Sequence, residues 1–157
     1  MSDHVLEWRW WLPRARDAVF ALLADPANLQ LTNPPWARSR WLAPPPARLE
    51  AGVVLDFTVT TLGMPVRWRV MIREFDPPYR FVDVQLQGPC ARWEHRHRFL
   101  EERGGTWVDD RVTYRLPLGP LGSAAHALLV RRQLESMWRY RTRRLGELVG
   151  PLSSPAG

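Results

Sequence analysis

The densest chemistry in the sequence is the segment Trp93-Glu94-His95-Arg96-His97-Arg98-Phe99. Two histidines two positions apart share one face of a strand, because strand side chains alternate. Asp110 and Tyr114 fall on the next alternating stretch, across a hairpin whose expected turn is Gly104-Gly105. With Arg103 opposite Thr106, Phe99 faces Asp110, His97 faces Val112 and His95 faces Tyr114, and His97 and Asp110 become diagonal neighbours. Imidazole, carboxyl and phenol groups on one face can work as general acid, general base and carbonyl polariser, or can fix the polar end of a ligand in an apolar pocket. The bland alternative is a satisfied buried network that holds the sheet to whatever covers it, since four polar groups on an apolar face must be hydrogen-bonded or wet.

Other chemistries find less support. His95-x-His97-x-x-x-Glu101 matches the first half of a cupin-type metal motif, but Glu101 lies near the hairpin tip and no third histidine has a suitable context, so no metal is expected. The chain contains no lysine, which excludes Schiff-base, pyridoxal-phosphate and P-loop lysines. There is no Gly-x-Ser-x-Gly and no Gly-x-Gly-x-x-Gly, so neither a nucleophile elbow nor a nucleotide cofactor is expected, and Cys90 follows Gly88-Pro89 in a turn with no defensible histidine partner. Cofactors are therefore expected to be absent.

The elements that must position these groups follow from periodicity. Val5 to Leu12 reads as a tryptophan-rich strand, Arg14 to Ala24 as a short helix, and Pro26 to Leu31 as a second one closed by Asn33-Pro34-Pro35. Arg38 to Leu42 has strand character. From Gly52 the period is two: Val53, Leu55, Phe57, Val59; then Val66, Trp68, Val70, Ile72; Val82, Val84, Leu86; Trp93, His95, His97, Phe99; and Val108, Asp110, Val112, Tyr114. Each set alternates with polar residues, as an antiparallel sheet with one wet side requires. That reading assigns Arg67, Arg69, Asp83, Glu94, Arg96, Asp109 and Arg111 to the solvated face. Hairpin-sized connections make successive strands neighbours. Ser123 to Val149 reads as one long helix with a buried stripe of Val130, Leu134, Met137, Trp138, Leu145 and Leu148. One domain over residues 1–149 and a disordered tail over 150–157 are expected.

The expected architecture is thus α+β: a curved antiparallel sheet of about seven strands, two short helices after the first, wrapped around a long C-terminal helix. One helix cannot fill such a concavity. Phe57, Trp68, Trp93, Phe99, Tyr114, Leu134, Met137 and Trp138 either line a cavity or fill it, and with nine tryptophans both outcomes stay open. Together with His95, His97 and Asp110 they form the expected ligand-binding set.

The 157 residues carry a net charge of +6. Arginine in place of every lysine and a single isoleucine, Ile72, point to base-composition pressure rather than to selection for nucleic acid. Nucleic-acid binding is not expected, and no run is long and apolar enough for a membrane span. One cysteine and the absence of a recognisable leader lead to the expectation of a cytoplasmic protein.

Four stretches carry a family resemblance: Pro13-x-x-x-Asp17-Ala18-Val19-Phe20, Leu31-Thr32-Asn33-Pro34-Pro35-Trp36, the segment from Gly88 to Phe99, and Asp110 to Gly119. Over about residues 5–148 the chain resembles the SRPBCC superfamily of helix-grip proteins. That superfamily includes START domains, birch-pollen-allergen-like proteins and polyketide cyclase/dehydrase-like proteins. The last two stretches are similar to a bacterial subgroup found alone or fused ahead of an NAD-dependent epimerase-like domain. The resemblance implies a hydrophobic pocket between sheet and last helix but names no ligand. Three readings follow. The first is a binder of a hydrophobic or aromatic small molecule, with His95, His97, Asp110 and Tyr114 orienting its polar end. The second is a cyclase or dehydratase using His95 or His97 as acid or base, Asp110 to orient it and Tyr114 to polarise a carbonyl. The third is an accessory module docking a separate epimerase-like protein.

Overall fold

The computed structural model describes residues 2–117 and 119–150, without the side chains of residues 120–122, 125 and 126. The elements run β1 (His4–Leu12), α1 (Arg16–Leu23), α2 (Pro26–Thr32), a single 3₁₀ turn (Pro35–Ala37), β2 (Arg40–Trp41), β3 (Val54–Thr61), β4 (Met64–Asp76), β5 (Arg80–Gln87), β6 (Arg92–Glu102), β7 (Gly105–Arg115) and α3 (Pro120–Val149). The seven strands form one antiparallel sheet in the order β1-β7-β6-β5-β4-β3-β2. Every hairpin from β2 to β7 joins neighbours, and β1 closes the other edge against β7. Most of the expected tail, from residue 151 on, lies outside the described residues.

Proline and aspartate set the start of the short helices. Asp25 caps α2 by accepting from the Ala27 N–H at 2.9 Å, with Pro26 at the first helical position. Val19 and Phe20 of α1 drop into the concave face, where Phe20 meets Phe75, Phe81 and Phe99 with ring centroids 5.1–5.8 Å apart. The other end of the concavity is held by α3. Trp138 stacks on Trp8 of β1 at 4.3 Å and 9°, and Leu134, Trp138 and Leu145 are buried. Val130 and Met137 are half-buried on the same side of the helix. Leu148, expected in that stripe, is instead 42% exposed; Val149 packs on the core from this turn, and its carbonyl accepts from Arg14 Nη2 at 2.8 Å.

Two register findings correct the sequence reading. The β6–β7 turn is Arg103-Gly104, not Gly104-Gly105; both residues have positive φ, 52° and 73°, the backbone that a two-residue hairpin turn demands. Gly105 is already a strand residue, opposite Glu102, and a Cβ there would clash with the Trp11 ring. Pairing therefore slides by two: His97 is opposite Asp110, His95 opposite Val112, Trp93 opposite Tyr114 and Phe99 opposite Val108. A slip of two keeps every side chain on its expected face.

The second correction concerns β5. The β4–β5 ladder skips Arg73, pairing Ile72 with Asp83 and Glu74 with Val82. Asp83 is opposite His95 and Phe81 opposite His97, so both face the hollow, while Val82 pairs with Arg96 and Val84 with Glu94 on the convex side. Asp83 does not belong to the solvated face.

Candidate functional site

Between the sheet, α2 and α3 lies a cavity of about 180 Å³, partly open to solvent. Its walls are largely apolar: Leu55, Phe57, Val59, Trp68, Val70, Ile72, Phe81 and Trp93 from the strands, Leu22, Leu23 and Leu29 from the short helices, Val130, Leu134, Met137, Trp138 and Leu145 from α3. The aromatics both line and fill the concavity: what remains is well below the volume of a drug-sized pocket. Of the expected ligand-binding set, Phe57, Trp68, Trp93, His95, His97, Asp110, Leu134, Met137 and Trp138 come together around the cavity. Phe99 and Tyr114 do not reach it. Phe99 is buried among Phe20 and Phe81, and Tyr114 is buried against Trp93 at 6.2 Å and His4 at 5.3 Å.

The polar floor is built around Asp110. Its Oδ2 accepts from the indole N–H groups of Trp10 and Trp138, each at 3.1 Å. Its Oδ1 faces His95 Nε2 at 3.3 Å and His97 Nδ1 at 2.6 Å, the latter in a bent contact. On the other side of the imidazoles sits Asp83, with Oδ2 3.4 Å from His95 Nδ1 and 3.8 Å from His97 Nε2. The two rings are 3.8 Å apart. His95, His97 and Asp110 are all buried.

Burial and partners split the two histidines. Burial alone would push the His95 pKa down, but hydrogen bonds and attraction from Asp110 and Asp83 outweigh it and lift it to about 9. His97 goes the other way: burial and repulsion from His95 hold it below the ordinary value, against the pull of the same carboxylates. Asp110, despite burial, is held well below the usual carboxylate range by His97 and His95. At neutral pH the pair is therefore one imidazolium and one imidazole. His97 thus sits between the two carboxylates, its Nδ1 2.6 Å from Asp110 Oδ1 and its Nε2 3.8 Å from Asp83 Oδ2.

Asp83, His95 and His97 each offer one ligand atom, all within 4.8 Å of one another. The expected third member of a metal motif, Glu101, is exposed beside the hairpin, opposite Thr106, and takes no part. A divalent ion at Asp83 requires both facing nitrogens bare. The two carboxylates that would attract a cation also favour the proton on His95, so a cation and a proton compete for the same nitrogens. Cys90 also lines the cavity, and burial pushes its thiol up to about 11, so it carries no thiolate at neutral pH.

Among the polar wall residues that escaped the sequence reading are Asp83, Arg141, Asn33 and Gln133. Asp83 did so through the β5 shift. Arg141 lies one helical step from Trp138 within the stripe Leu134, Trp138, Arg141, Leu145, and it too lines the cavity. The spacing was the available signal.

At sequence level, residues 12–138 fit the family described as polyketide cyclase / dehydrase and lipid transport. The chain belongs to that family. Solved structures agree on the helix-grip fold of this polyketide cyclase/dehydrase-type protein. An aromatase/cyclase, ZhuI, from Streptomyces sp. R1128 superposes with a TM-score of 0.75 at 14% identity, covering 94% of each chain. Protein Ms6760 from Mycobacterium smegmatis gives 0.69 at 16% identity, over 92% of this chain and 90% of that one. A nucleoside-diphosphate sugar epimerase from Corynebacterium glutamicum gives 0.64 at 23% identity, over 90% of this chain but only 28% of the other. No curated protein sequence matches this one significantly. Among the described residues, no helix is long and apolar enough to cross a membrane.

Proposed function

We propose that this protein binds a small hydrophobic or aromatic molecule in the cavity between the sheet and α3, with an oxygen-bearing end against the Asp83–His95–His97–Asp110 floor. The carrying observation is the cavity itself: about 180 Å³ walled largely by aliphatic and aromatic side chains, with Asp83, His95, His97 and Asp110 clustered in its wall. A space of this class takes a single aromatic ring with a short substituent. Apolar burial supplies the affinity at about 25 cal/mol per Å² before binding costs, and the floor supplies orientation. Native mass spectrometry of freshly purified protein tests this, beside a Met137→Trp variant whose indole would occupy the cavity. A molecule that co-purifies with the wild type and not with the variant is the expected result. A wild type that carries nothing and takes up no substituted benzene from a panel would sink the reading.

A second reading rests on the opposite protonation of two touching imidazoles. The neutral His97 imidazole would accept a proton from a carbon beside a carbonyl, and His95 would protonate a departing hydroxyl, as cyclisation with loss of water requires. His97→Ala would then abolish turnover of a β-polyketone short enough to close to a single ring in this cavity, whereas in a pure carrier it would change only ligand preference. The fold-level likeness to part of an epimerase chain supports no separate epimerase-like partner, and none is proposed.

A further inference from the structure

Arg141 is the one cation in the cavity wall without a direct counter-charge among the described residues. Its Nη2 donates to Asn33 Oδ1 at 2.8 Å, at the end of α2. Its guanidinium carbon lies 5.1 Å from the Trp138 ring centroid. Its Nε is buried and has no hydrogen-bond partner. Burial disfavours its charge, and the attraction of Asp110 and Asp83, neither in contact with it, only partly offsets this. The other titratable groups at the wall do not supply a partner. Asp25 is committed to capping α2, and Asp83 and Asp110 are taken up by the two imidazoles. A guanidinium stays protonated under all these conditions, so the fold keeps a permanent, under-compensated positive charge facing an apolar hollow. Asn33, itself buried within the Leu31–Trp36 stretch, holds the fork in place.

We propose that Arg141 recognises an anionic oxygen group, a carboxylate or an equivalent enolate, on the molecule that occupies the cavity. The ligand is then an acid with an apolar ring or short chain, not a neutral hydrocarbon. Its body lies among Trp68, Trp93 and Met137, and its charge completes the hydrogen bonding of the guanidinium. This rests on the cavity-binding reading and adds the ligand's charge to it. Asn33 is a positioning residue that acts through Arg141.

Cinnamate and cinnamamide, equal in size and different in charge, test the assignment by calorimetric titration at pH 8. The wild type should prefer the acid about tenfold, the usual effect of one charge-assisted hydrogen bond. Arg141→Gln should lose the preference and bind the two alike, with a wild-type near-UV circular dichroism spectrum showing that the packing around its cavity is intact. Asn33→Ala should narrow the preference without abolishing it. Equal binding of acid and amide by the wild type, or a preference that survives in Arg141→Gln, overturns the proposal and leaves the cavity reading standing. Failure of the wild type to bind either compound at millimolar concentration overturns both.

Discussion

The two faces of this sheet carry charge under opposite conditions. On the convex side, arginines and carboxylates pair across strands in water: Asp56 with Arg67, Arg73 with Glu94, Arg9 with Asp109. On the concave side, Asp110 sits 2% exposed and receives two indole N–H groups and two imidazoles. Solvent screens the outer pairs and replaces any partner that is lost. Water replaces a lost partner of Asp110 poorly, because the carboxylate is packed beneath Trp10, Trp138 and two imidazoles. Similar residue types therefore have different consequences: the outer charges keep one face wet, whereas the inner ones tie β1, β6, β7 and α3 to a single carboxylate.

The largest effect should come from removing that carboxylate. Asp110→Ala leaves a protonated His95, the buried Trp138 indole N–H and the part-buried Trp10 indole N–H without their acceptor. Losing one partner of a buried charged pair costs about 3–5 kcal/mol. Urea unfolding should show this as a large fall in midpoint, with Asp110→Asn falling between the variant and wild type because its amide oxygen still accepts. A loss no larger than an ordinary surface substitution would mean that the inner network does not hold the helix to the sheet.

Next in size is the pH dependence. His95 has a folded pKa of about 9 against an ordinary value of 6.5. Its contribution is fully present below 6.5 and is lost as pH rises through 9. A shift of this size in a buried group is worth on the order of 3 kcal/mol. His97 has the opposite sign: its folded pKa lies below 6.5, so stability falls as pH drops below 6.5 and the unfolded chain takes up the proton. Thermal unfolding followed from pH 5 to 10 should give a maximum near 6.5, with a decline on the alkaline side that is absent in His95→Gln. An unchanged midpoint between pH 7 and 9.5 would remove the protonated His95 from the account.

Which of these groups could be read from the chain is itself instructive. His95, His97 and Asp110 were legible because their strands keep strict alternation and a two-residue slip preserves the face. Asp83 was not, because Val82, Val84 and Leu86 make the convex face of β5 look like the core face. Only the skipped residue at Arg73, together with Phe81 aligning on Phe75, reveals the inversion. Tyr114 and Phe99 face the expected side yet lie past the ends of the cavity, and alternation gives the face of a residue but not how far along the hollow it sits. Arg141 was missed although it keeps helical spacing with Leu134, Trp138 and Leu145, because an arginine inside an apolar stripe reads as surface until a cavity is known to lie beside it.

The smallest effect should be found outside, and its smallness is the informative part. Arg67 grips Asp56 with two bonds, 2.9 and 2.6 Å, a geometry better than any contact of His95. The hydrogen bond from Arg67 lowers the Asp56 pKa below the ordinary carboxylate value. By linkage, the contribution of Asp56 is present above that value and lost in acid, the reverse of the His95 dependence. Yet the pair is open to water, which competes for both partners. Asp56→Asn should therefore move the urea midpoint by roughly a tenth of the Asp110→Ala change, and the difference should vanish at about 1 M salt, where screening reaches contact distance. If instead Asp56→Asn cost as much as Asp110→Ala, hydrogen-bond geometry rather than exclusion of water would govern what a charge does on this sheet, and the inner and outer faces would no longer differ in kind.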